Sequence, residues 1–299
     1  MKLFGYAEAF QPSGNITGQG IGNVLGAPPM DPVDLLVRES VQNVWDARRE
    51  DEHPTASYHL RNLEASQASA LIGFLEDRPE RDCVPDLHDS LSGPAVRILE
   101  IADWGTTGLG GPTSAAVEPQ PGDTPDFVSF LRNIGSPRDT EMGGGTYGFG
   151  KSSIWNMSQC STILVHTLCT EAGETEERFI VYRVGVEYSN GGHRYTGRHW
   201  WGVQGEDGVA DPYLGQEAAK IADDLGMPAR SAGKFGTTIW VLDPVVSEDD
   251  HARGVDPEEV ICEKIRDAIL VHCWPKMVQR EGENSPPMAF VVQKDGVDI

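Results

Sequence analysis

Between Asp31 and Arg49 the sequence specifies one amphipathic helix, and the rest of the chain has to be folded around it. Asp31 is a good N-cap, and Pro32 suits the first helical turn, where a missing N–H costs nothing. Val33, Val37, Val41 and Val44 recur at helical spacing and form an apolar stripe. At about 100° per residue, Glu39, Asn43 and Asp46 fall within roughly 60° of one another on the opposite side. Two carboxylates and an amide gathered there suit a metal–phosphate site, and they equally suit an ordinary solvated face. The helix alone does not separate the two.

The later segments supply sheet. Val96–Ala102 reads as a buried strand ending in Asp103-Trp104-Gly105-Thr106-Thr107-Gly108. A long Gly-, Pro- and Ser-rich stretch over 109–144 follows, with a short helix only near Phe127–Ile134; such a stretch reads as a lid or binding loop. It closes on Gly143 to Ser153, and Ile154–Met157 begins a helix. Ser161–Cys169, Arg178–Tyr188, Tyr195–Val203, Gly236–Leu242 and Met288–Gln293 read as strands, with an acidic turn at Glu171–Glu177. Residues 62–76, Pro212–Gly226 and a helix capped by Asp256 and running to about Cys273 read as helical, and 77–94 reads as a polar loop.

Composition limits function. The chain has 299 residues, 46 acidic and 24 basic, for a formal charge of −22. A surface of that sign repels nucleic acid and anionic membrane, so direct nucleic-acid binding is not expected. No run approaches the ~18 apolar residues needed to span a bilayer, and the N-terminus lacks a basic-then-apolar signal pattern. The five scattered cysteines form no C-x-x-C, which points to a reducing, cytoplasmic setting without a zinc site.

Gly145-x-x-x-x-Gly150-Lys151-Ser152 matches the phosphate loop of P-loop NTPases, but that motif needs a buried strand directly before it. Ser136 to Met142 does not read as one. A second pattern spans more of the chain: Glu39-x-x-x-Asn43-x-x-Asp46-Ala47, then Asp103-x-Gly105, then Gly145-x-x-Gly148-x-Gly150, then Gly236-Thr237. In order, interval and local structure these resemble the four ATP-site motifs of the GHKL family, nearest the branch of heat-shock-90 chaperones, MutL and MORC proteins. One departure is visible. The family's usual Asp-x-Gly-x-Gly has its second glycine one residue late here, at Gly108.

The resemblance implies an α+β fold of the Bergerat type, a two-layer sandwich whose mixed sheet is covered by helices on one face. It implies ATP and Mg²⁺ as ligands. Glu39 would be the general base orienting water, Asn43 would hold Mg²⁺, and Asp46 would lie near the nucleotide. Asp103 would accept a hydrogen bond from the adenine amine, with Gly105 close to the base and Thr237 completing the contact. A carboxylate is acceptor-only and so separates adenine from guanine. Gly145, Gly148 and Gly150, with Tyr147 and Phe149 between them, would present N–H groups to the phosphates, and Lys151 would add a positive charge.

The expected organisation is an N-terminal arm over 1–30, an ATP-binding domain over 31–245 with its lid near 106–145, and the start of a transducer-like second domain over 250–299. The expected activity is ATP hydrolysis coupled to lid closure and homodimerisation, within a longer protein or alongside protein partners. The alternative is a nucleotide-binding switch or scaffold with negligible turnover.

Overall fold

The computed structural model describes residues 1–18, 20, 30–50, 52–119, 124–133, 149–171, 173–230, 233–246, 254–279 and 281–299, with backbone alone for 149–152. Among the described residues twelve strands form one mixed sheet: β1 (Phe4–Ala9), β2 (Thr55–Asn62), β3 (Arg97–Trp104), β4 (Thr162–Glu171), β5 (Glu174–Val184), β6 (Tyr188–Asn190), β7 (His193–Gln204), β8 (Ala210–Asp211), β9 (Tyr213–Leu214), β10 (Gly236–Leu242), β11 (Ala289–Lys294) and β12 (Val297–Asp298). The main order is β1-β7-β5-β4-β10-β3-β2-β11-β12, with β6 and β8 on β7 and β9 on β5. Pairing is antiparallel except where β11 runs parallel to β2.

Eight helices are found among the described residues: α1 (Pro32–Asp46), α2 (Ala65–Phe74), α3 (Pro85–Ser92), α4 (Asp126–Leu131), α5 (Phe149–Asn156), α6 (Gly215–Leu225), α7 (Pro257–His272) and α8 (Trp274–Met277). None is long and apolar enough to cross a membrane.

The mixed α/β character is as expected, but the helices do not cover one face. One core joins α1, α4, α5 and α7 to Tyr58, Leu99, Ile101, Val165 and Val241 of the sheet. A second joins α2, α3 and α6 to Ile98, Leu164, Val181, Trp240 and Leu242. The sheet is therefore the middle of three layers. The reason lies in its central strands: alternate residues point to opposite faces, and on β3, β4 and β10 both sets are largely buried and each carries large apolar side chains.

Helix α1 forms as its signals dictate. Asp31 accepts a hydrogen bond from the Val33 amide at 2.8 Å, and Val33, Leu36, Val37, Ser40, Val41 and Val44 are buried. Several segments differ from expectation. Residues 77–94, read as a loop, contain α3, which buries Leu87 and Leu91. Within the N-terminal arm, Phe4–Ala9 is strand β1, an edge of the sheet paired with β7. The acidic turn is tighter than its sequence suggests, since most of it belongs to the β4–β5 hairpin.

Residues 257–299, expected to begin another domain, place α7 against α1 and β11 beside β2. Ile261, Ile265 and Ile269 lie in the same core as α1. The stretch between the two expected units, 246–249, lies outside the described residues except for 246.

Candidate functional site

The end of β3 is tied to the end of α1. Gly105, at φ +76°, turns the chain; its carbonyl accepts from the Arg49 amide at 3.0 Å, and the Thr107 amide donates to Ala47 O at 2.8 Å. The Gly105 amide donates to Phe235 O at 3.1 Å, which brings the start of β10 to the same place. These backbone bonds open a cleft between α1 and the sheet.

The cleft is narrow, with about 70 Å³ open to the centres of water molecules. Ser40, Asn43 and Val44 of α1, with Ala47 just after it, line one side. Ala56, Tyr58, Ile101, Asp103, Thr237 and Ile239 make the floor, and Thr106, Gly108, Leu109, Phe130 and Ile154 complete the wall. Most of this surface is apolar, so the few polar groups carry orientation.

Asp103 is the most constrained of these. Its Oδ1 accepts from the Thr106 hydroxyl and from the Thr237 amide at 3.2 Å, while Oδ2 accepts no hydrogen bond among the described residues. Burial pushes its carboxyl above the usual range; the Arg230 guanidinium and the two hydrogen bonds pull it part of the way back. Thr237 Oγ1 lies 3.0 Å from Thr167 Oγ1, and Thr167 Oγ1 in turn accepts from the Leu109 amide at 2.9 Å. Gly108, at φ +69°, crosses this point with no room for a side chain: a Cβ would lie 2.3 Å from Leu168 O. The late glycine thus starts the loop against β4.

On α1, the Asn43 side chain lines the cleft and makes no hydrogen bond among the described residues. Glu39, one turn earlier and partly buried, is likewise unengaged, and burial raises its carboxyl above the usual range against a lowering by Arg38.

Of the residues singled out in the sequence, the structure brings Asn43, Asp103, Gly108 and Thr237 together in one cleft. Glu39 and Asp46 share α1 but do not line it, and Asp46 is exposed. Gly105 shapes the turn beneath without lining it. Gly145, Tyr147 and Gly148 lie outside the described residues; Phe149, Gly150 and Lys151 are described only as the first turn of α5. The phosphate-loop alternative rests on the same stretch.

Sequence reasoning missed Ser40, Tyr58, Thr106, Thr167 and Arg230. The Ser40 hydroxyl donates to Leu36 O at 2.7 Å and sits 2.6 Å from Tyr58 Oη, closing the deep end of the cleft. Only Thr106 had a local signal, its position beside Asp103. Tyr58 and Thr167 arrive through strand pairing, Ser40 through the packing of α1 on β2, and Arg230 through packing behind β10.

No protein-family model matches the chain, and no curated protein matches it.

Proposed function

We propose that this protein is a Mg²⁺-dependent ATP-binding and ATP-hydrolysing module of the GHKL type, acting as a conformational switch through its lid and through dimerisation. The observation that carries the reading is the single cleft lined by Asn43, Asp103, Gly108 and Thr237, which are far apart in sequence and fall in the positions the motif resemblance assigns to an adenine nucleotide.

The donor set fits the ligands. Asp103 Oδ2 is an open acceptor beside an apolar floor, as an adenine amine and ring require. The unengaged Asn43 amide oxygen suits a hard cation that keeps most of its waters. Mg²⁺ held there would offset the charge of the phosphate oxygens. Glu39, its carboxyl raised by burial, is poised as a base nearer neutral pH than an exposed glutamate.

Calorimetry with ATP and Mg²⁺, followed by phosphate release, tests this. Glu39→Gln should keep ATP affinity and lower turnover by about a hundredfold or more. Absence of ATP binding by the wild type would overturn the reading. Equal, measurable turnover in wild type and Glu39→Gln would remove Glu39 as the base, and ATP binding without phosphate release by the wild type would favour a switch with negligible hydrolysis.

A further inference from the structure

Behind the floor of the cleft lies a charge that the nucleotide reading does not use. Arg230 follows α6 and is buried at 5% exposure, on the face of the sheet away from α1. Its Nη2 donates to Thr238 Oγ1 at 2.8 Å, its Nη1 reaches Lys234 O at 3.4 Å, and its guanidinium lies 5.5 Å from the Trp104 ring centre. Its Nε is buried without a partner among the described residues. Burying an arginine with incomplete hydrogen bonding costs free energy, which calls for a compensating charge.

That charge is Asp103, reached through a gap in the sheet. Gly236 sits between them at φ +142°; a Cβ there would lie 2.6 Å from Asp103 Oδ1 and 2.7 Å from Arg230 Nη1. Only a residue without a side chain lets the guanidinium behind the sheet approach the carboxylate in front of it. The other groups around the pair are Tyr58 in front, Glu52 near Gly105, and, behind, Glu100 with Arg61 and Glu177 with His166. Among the described residues Arg230 is the one cation whose field acts on Asp103.

We propose that Arg230 is a specificity-determining positioning residue, whose guanidinium keeps the Asp103 carboxyl an acceptor-only group and so makes the cleft choose adenine over guanine. The inference rests on the ATP reading above. A carboxylate accepts from the adenine amine and repels the guanine O6, whereas a neutral carboxyl can donate to O6 and loses its preference. Burial alone drives Asp103 toward the neutral form, and the arginine opposes that drive.

The test is calorimetry of ATP and GTP with Mg²⁺ from about pH 6 to 9, on wild type, Arg230→Gln and Arg230→Lys. Wild type should prefer ATP by tenfold or more throughout. Arg230→Gln, which can still bond Thr238, should lose most of that preference at the acid end and regain it as the pH rises. Arg230→Lys should keep it. A folded Arg230→Gln with the wild-type ATP-to-GTP ratio at every pH overturns the proposal. So does a collapse of the ratio in Arg230→Lys, which remains decisive if Arg230→Gln fails to fold. Failure of the wild type to bind ATP would instead sink the nucleotide reading itself.

Discussion

Asp103 carries a cost to stability beside its proposed part in recognition. Its carboxyl, like that of Glu39, is raised by burial, so the folded protein holds a proton there more readily than the unfolded chain does. A raised carboxyl contributes stability below its unfolded pKa and loses it as the pH rises through the folded value. Near neutral pH the ionised Asp103 therefore weakens the apo fold. Asp103→Asn keeps an oxygen for the Thr106 hydroxyl and the Thr237 amide. Its melting temperature near pH 7 should stay within a few degrees of wild type, because relief of an ionised buried carboxyl is offset by loss of the charge facing Arg230. Its ATP affinity should fall by about ten- to a hundredfold, the worth of a hydrogen bond to a charged group. A variant that melts well below wild type near pH 7 while binding ATP normally would show that Asp103 is a structural cap.

Helix α1 is held by packing more than by its cap. The Asp31 cap bond is worth about 1 kcal/mol. Leu36, fully buried against the sheet, is worth about 2–5 kcal/mol on truncation to alanine, because a cavity remains. In urea unfolding Leu36→Ala should cost more than Asp31→Ala, and it should also weaken ATP binding, since the same helix carries Asn43. Equal effects from the two variants would mean that α1 is only loosely docked. The helix was legible because cap, proline and valine spacing all lie within one stretch. Helix α3 was not: eight residues beginning at Pro85, with only Leu87 and Leu91 as large apolar side chains, look like a loop until a second core on that face receives them. Strand β2 was missed for a similar reason. Ala56, Tyr58 and Leu60 alternate with Ser57, His59 and Arg61, a short pattern whose partners lie elsewhere in the chain.

At the scale of the molecule, residues 257–299 contribute to one sheet and one core with the cleft. Removing them would strip Ile261, Ile265 and Ile269 from the packing on α1 and bare the β2 edge now paired with β11. Burial of each isoleucine is worth roughly 1.5–3 kcal/mol, so the loss is comparable with the entire stability of a typical domain. A fragment ending at residue 246 should therefore lose its cooperative thermal transition by circular dichroism and aggregate on size exclusion. A monomeric fragment with a sharp transition would support the expectation of an independent segment after residue 250.

The sequence by itself determined what local chemistry can encode: α1 with its cap and polar face, the strand that ends at Asp103, the strand opened by Gly236 and Thr237, and the helix capped by Asp256. Each has its signals within a dozen or so residues. The tertiary structure decided what depends on partners far along the chain. It covered both faces of the sheet, since continuous apolar strands demand two faces without saying which helices supply them. It set β11 beside β2, and it brought Arg230 up behind Asp103 through the one position without a side chain. Spacing along a chain records which face a residue takes, whereas only strand pairing and layer packing determine what meets it there.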